Sequence, residues 1–130
     1  MTKKRILIVD DETDCVEFVK AILEDDNTEI ISALDGEAGL KIAAGQKPDL
    51  VILDVQMPKK DGFKVFTELR QEEATKGIPV VMLTGVGQKT GIKFSKSDMG
   101  DFLGEEPEGY VEKPVDPETL KKTVAQVLGG

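Results

Sequence analysis

Apolar residues fall along this chain in short continuous runs that alternate with sets at helical spacing. Ile6 to Val9 is followed by Cys15, Val19, Ile22 and Leu23; Ile30 to Ala33 by Ala38, Ile42 and Ala43; Leu50 to Leu53 by Phe63, Phe66 and Leu69. Pro79 to Leu83 and the pair Tyr110 and Val111 continue the series. A last helix then opens at Asp116, an N-cap type, with Pro117 at its first position, and carries Leu120, Val124, Val127 and Leu128 on one face. Runs of about four apolar residues between helical patterns predict repeated strand and helix units. Their continuous rather than alternating character predicts a parallel sheet covered on both faces, so the expected class is α/β with a doubly wound five-stranded sheet. One stretch departs from the rhythm. From Gly85 to Gly109 the chain is rich in Gly and Lys, and Gly85, Gly87, Gly91, Gly100, Gly104 and Gly109 punctuate it. Each interior Gly costs a helix about 1 kcal/mol relative to Ala, so a loop-rich region with at most a short turn near Ser97 is expected there.

Length and charge narrow the picture. With 130 residues there is room for one domain, spanning 1–130, and one core. Lys and Arg total 17 against 25 Asp and Glu, a net charge of -8 that opposes a nucleic acid or an anionic membrane as partner. Proteins and cations suit it better. The single Cys15 excludes an internal disulfide and sits among Val16, Phe18 and Val19, where a thiol behaves as a small apolar group. The basic start MTKKR precedes only four apolar residues, too few for a signal peptide or a span, and a cytoplasmic location is expected. The absence of His removes histidine bases, ligands and phosphohistidine from this chain, so any phosphohistidine must come from a partner.

In open α/β sheets ligands bind beyond the carboxyl ends of the strands, near the switch in strand order. The residues expected there are Asp10, Asp11 and Glu12 after the first strand, Asp54 after the third, Thr84 after the fourth and Lys113 after the fifth. Adjacent carboxylates repel and are costly to withdraw from water without a positive partner. Carboxylates and water are the ligand set of Mg²⁺, which Asp10, Asp11 and Asp54 fit. Lys113 offers a compact positive charge to a phosphoryl oxygen and Thr84 a hydroxyl donor. These are parts for phosphoryl transfer, in which carboxylates also serve as nucleophiles.

Four ordered motifs at strand ends, VDDE at Val9 to Glu12, LDVQMPKKDG at Leu53 to Gly62, LTG at Leu83 to Gly85 and YVEKP at Tyr110 to Pro114, resemble the receiver domain of bacterial response regulators over about Arg5 to Leu128. The resemblance implies a flavodoxin-like fold with Asp54 as phosphoacceptor, Asp10 and Asp11 as the acidic pair holding Mg²⁺, and Gln56 offering its backbone carbonyl to the metal. It implies Lys113 as the family's lysine, Thr84 as the switch hydroxyl, Tyr110 as the aromatic switch and Pro114 as the proline after a cis bond. It further implies a sensor histidine kinase or phosphotransfer protein as donor and a downstream protein target. The domain would be a non-enzymatic signalling module, a monomer or a dimer on phosphorylation.

Plainer readings stand beside these. Asp11 alone would be a helix N-cap, Asp54 a strand terminator before Met57 and Pro58, Thr84 a strand residue, Lys113 a solvated lysine and Tyr110 a core aromatic. Met57 and Phe63 suit packing better than chemistry. A haloacid dehalogenase type phosphohydrolase wants a second Asp two residues after the first, where Gln56 stands. In GVGQKTG, Gly85 to Gly91, Gln88 separates glycine from Lys89 and breaks the phosphate-loop pattern. A pseudo-receiver that binds a partner without phosphorylation, or a receiver cut from a longer regulator, remains as an alternative. Because no output domain follows Leu128, a stand-alone receiver is expected.

Overall fold

A computed structural model of the chain describes residues 4–55, 62–85, 108–113 and 115–129. Its elements run β1 (Lys4–Val9), α1 (Thr13–Leu23), β2 (Thr28–Ala33), α2 (Gly36–Gln46), β3 (Leu50–Asp54), α3 (Gly62–Gln71), β4 (Val80–Gly85), β5 (Gly109–Lys113) and α4 (Pro117–Gly129). The five strands form one sheet in the order β2-β1-β3-β4-β5, every pairing parallel. This is the flavodoxin-like, doubly wound arrangement. The loop-rich expectation for Val86 to Gly109 falls almost wholly on residues 86–107, outside the described residues.

Alternation along the strands sorts the core into two layers. Leu7, Val9, Val51, Leu53, Val80 and Met82 face one way and pack with Ala43 of α2 and Val65, Phe66 and Leu69 of α3. Ile6, Ile8, Leu50, Ile52, Val81 and Leu83 face the other way, against Val16, Val19 and Leu23 of α1 and Leu120 and Val124 of α4. Both faces of the central strands are therefore dry, which is why their sequences are unbroken apolar runs. β2 differs. Glu29 and Ser32 are exposed while Ile30 and Ala33 are buried, because only β1 pairs with this edge strand.

Caps set the helix starts. Asp35 accepts from the Ala38 N–H at 2.8 Å and opens α2. Asp116 opens α4 as expected, its Oδ2 accepting from the Thr119 N–H at 2.9 Å and the Thr119 hydroxyl at 2.8 Å. The plainer reading of Asp11 as the cap of α1 does not hold: Glu12 occupies the N-cap and makes no side-chain cap bond, while Asp10 Oδ1 accepts from the Glu12 N–H at 3.0 Å. The turn from β1 into α1 is thus tied by Asp10, which leaves the Asp11 carboxyl outside the capping role.

At the amino edge of the sheet, Arg70 of α3 gathers several elements. Its guanidinium donates to both Glu108 carboxyl oxygens at 2.6 and 2.8 Å and to the Ile78 carbonyl at 2.8 Å, and lies 4.7 Å from the centre of the Phe66 ring. Glu108 Oε1 also accepts from the Val80 N–H at 2.7 Å. Among the described residues no helix is long and apolar enough to cross a membrane.

Candidate functional site

All five strands are parallel, so their carboxyl ends share one edge, and the register decides which end residues meet. Val9 lies opposite Leu53, which brings the next residues, Asp10 and Asp54, side by side on neighbouring strands. Two further hydrogen bonds hold that edge: the Asp10 N–H donates to the Ala33 carbonyl at 3.1 Å, and the Val55 N–H to the Leu83 carbonyl at 3.0 Å. β1 and β3 are also where the strand order reverses, since β2 lies on one side of β1 and β3 on the other. The crevice of an open α/β sheet opens there.

Asp10 and Asp54 are buried, with 0% and 3% of their surface exposed, while Asp11 is exposed. One carboxylate oxygen from each of the three lies within 4.8 Å of the others. Three groups of one sign at that spacing raise the free energy of the folded protein in proportion to their charge, and a divalent cation among them reverses the sign of the interaction. Hard carboxylate oxygens, two of them buried and one open to water, fit an ion that binds through few protein ligands and keeps several waters. The donor set suits Mg²⁺. Glu12, the third acid of the run, stands apart from this group at the helix cap.

Thr84 is 8% exposed and lies on β4, one residue past Leu83, the partner of Asp54. Lys113 ends β5 opposite Gly85, so its backbone reaches the same edge; its side chain lies outside what is described. Tyr110 sits opposite Met82, two rungs back from the Thr84 and Glu112 pair, and is half-buried against the core layer of α2 and α3. The sheet therefore groups Asp10, Asp11, Asp54 and Thr84 at the carboxyl edge and sets Tyr110 toward its middle. Gln56 and Pro114 lie outside the described residues.

One residue at this edge closes the LDVQMPKKDG motif but is given no role of its own by the sequence. Gly62, the first residue of α3, donates its N–H to the Val55 carbonyl at 2.8 Å. A methyl group there would collide with the Asp54 carbonyl oxygen and stand 2.7 Å from Val55 Cα. Its φ is not left-handed, so the glycine is required by space alone. The pair Asp61 and Gly62 looks like ordinary turn chemistry, and only the folded backbone reveals what the glycine touches.

A five-stranded parallel sheet with carboxylates converging at its strand-order switch defines an open α/β domain whose crevice lies at its carboxyl edge. The chain belongs to the response regulator receiver domain family, whose sequence model matches residues 6–125. It is 36% identical over 126 residues to Protein PilH of Pseudomonas aeruginosa, covering 97% of this chain and 98% of that protein. It is 38% identical over 125 residues to the alkaline phosphatase synthesis transcriptional regulatory protein PhoP of Bacillus subtilis, covering 96% of this chain but spanning only about half, 48%, of that longer relative. Among solved structures, the chemotaxis protein CheY4 of Vibrio cholerae is similar with a TM-score of 0.82 and 33% identity, covering 98% of this chain and 100% of that one. The chain is thus a receiver domain of two-component response regulators.

Proposed function

We propose that this chain is the phosphoacceptor of a two-component phosphorelay, folded as a single receiver domain over 1–130. A phosphoryl group passes from a phosphohistidine on a sensor histidine kinase or phosphotransfer protein to a carboxylate oxygen of Asp54; the P–N bond breaks and an acyl phosphate forms. The observation that carries this reading is the β1 and β3 register, which sets Asp54 beside Asp10 with Asp11 close by. Asp10, Asp11 and Asp54, with the Gln56 backbone carbonyl, would hold Mg²⁺. When bound, that ion supplies charge neutralisation for the incoming phosphoryl group. Thr84 donates its hydroxyl to a phosphoryl oxygen and Lys113 meets another with its ammonium, which stabilises the charge that develops on transfer. The same groups assist loss of the phosphoryl group to water.

Movement of Thr84 toward the phosphoryl group, followed by Tyr110, switches a surface that contacts a downstream protein in the cytoplasm, as a monomer or a dimer formed on phosphorylation. The charge of -8 favours a protein target over nucleic acid or membrane. RpaA of Synechocystis is named a DNA-binding regulator, yet this chain spans only 48% of it. Incubation with Mg²⁺ and acetyl phosphate, followed by intact-protein mass spectrometry, tests the proposal: one labile phosphoryl group is expected on the parent and none on Asp54→Asn. Equal labelling of the two would refute it.

A further inference from the structure

Three glycines of the described residues have neighbours so close that a Cβ would intrude, and they differ in what it would meet. At Gly39 it meets the Val9 side chain, at 2.7 and 3.0 Å, and at Gly109 the Thr123 Cγ2 at 2.9 Å. Side chains can turn away. At Gly62 the three nearest atoms are all backbone: the Asp54 carbonyl oxygen, Val55 Cα at 2.7 Å and the Asp54 carbonyl carbon at 3.0 Å. The Gly62 N–H also donates to the Val55 carbonyl of the next peptide at 2.8 Å, so the first turn of α3 is seated directly on the backbone of Asp54 and Val55. Behind that seat α3 is anchored by Val65, Phe66 and Leu69, all buried. On its other side the peptide is held by the Val55 N–H donating to Leu83.

From this geometry we propose that Gly62 is a positioning residue for Asp54: contact between a side-chain-free helix start and the acceptor's own peptide sets where the Asp54 carboxylate stands relative to Asp10 and Asp11. The inference rests on Asp54 being the phosphoacceptor. A methyl group at Gly62 has no side chain to displace, so α3 and the peptide must separate, and the anchored helix throws much of that movement onto Asp54. Displacement of a reacting group by about 1 Å can cost on the order of 100-fold in rate. The effect should appear in the chemistry and not merely in stability.

The test compares Gly62→Ala with Gly109→Ala, whose methyl group crowds α4 at the far end of β5. With acetyl phosphate and saturating Mg²⁺, and rates corrected for the folded fraction by circular dichroism, Gly62→Ala should lose at least tenfold in maximal labelling rate. Its half-saturating donor concentration should stay within twofold of the parent, and Gly109→Ala should label at the parent rate. In the metal-free proteins, exchange of the Val55 amide relative to the Ile8 amide should quicken at least tenfold in Gly62→Ala alone. Should Gly62→Ala fail to fold, the parent answers: exchange of its Gly62 amide should slow at least threefold on adding Mg²⁺, and that of Gly109 should not change. A labelled parent with Gly62→Ala labelled equally fast, or a Gly62 amide indifferent to Mg²⁺, overturns the positioning role alone. An unlabelled parent overturns the phosphoacceptor reading and this one with it.

Discussion

The two edges of the sheet handle buried charge in opposite ways. At the amino edge, Arg70, with 8% of its side chain exposed, meets Glu108 through two short hydrogen bonds, and the remaining polar atoms reach the Ile78 carbonyl and the Val80 N–H. Opposite charges satisfy one another and tie α3, β4 and the entry to β5. At the carboxyl edge, Asp10, Asp11 and Asp54 crowd three charges of one sign within 4.8 Å. The first arrangement holds the fold together. The second sets like charges against one another, which the proposed cation and phosphoryl group would relieve, so neutralising a charge should have opposite consequences at the two edges.

The largest contrast lies in chemistry: Asp54→Asn should lose labelling by acetyl phosphate at least 100-fold by mass spectrometry, whereas Glu108→Gln should keep it within twofold. Next comes stability. Glu108→Ala leaves the Arg70 guanidinium buried without its carboxylate and, with Glu108 itself partly open to water, should cost about 2 kcal/mol in urea unfolding, below the 3–5 kcal/mol of a fully buried pair. Asp10→Asn should move the other way in metal-free protein, gaining about 1 kcal/mol as one like charge is removed, while Mg²⁺ affinity falls at least tenfold in calorimetric titration. A loss of stability in Asp10→Asn would break the comparison.

A change aimed at the backbone sharpens it. Lys47 ends α2 with φ at 47°, left-handed for a residue with a Cβ, so Lys47→Gly should raise stability by roughly 0.5 kcal/mol and leave labelling unchanged. The smallest effect concerns Asp116, the N-cap of α4. The Thr119 N–H, then the Thr119 hydroxyl, hold its carboxyl below the usual carboxylate range. A depressed carboxylate contributes stability that is present above its unfolded pKa and lost as pH falls through the folded one. A slight drop in thermal midpoint is therefore expected as pH falls below about 3.8, and Asp116→Asn should flatten it.

How far the sequence foretells this molecule depends on the distance over which each interaction acts. The five strands were legible because a strand covered on both faces must be apolar throughout, and Asp10 and Asp54 stood out as charges directly after such runs. β2 was only half legible, since its edge position exposes Glu29 and Ser32, and position within a sheet is a property of pairing. Which of three adjacent acids starts α1 was not legible: Glu12 takes the N-cap because Asp10 ties the turn. The Arg70 and Glu108 pair, 38 residues apart in sequence, and the contact of Gly62 with the Asp54 peptide left no local pattern. They exist only once α3 is laid on the sheet. The expectations for Gln56, Pro114, the Lys113 side chain and the stretch from Val86 lie outside the described residues.

The pairing of β1 with β3 has a consequence for how the protein is made. Asp10 and Asp54 lie 54 − 10 = 44 positions apart, with β2 docked on the opposite side of β1. Closing so distant a contact is slow compared with forming any one helix, so a growing chain acquires its helices and the β1 and β2 pair before its acids can converge. Until β3 slots in beside β1, the carboxylates remain apart and hydrated. The acid cluster is thus a property of the finished sheet, and under the proposed function partly folded chains should compete poorly with mature ones for both the ion and the phosphoryl donor.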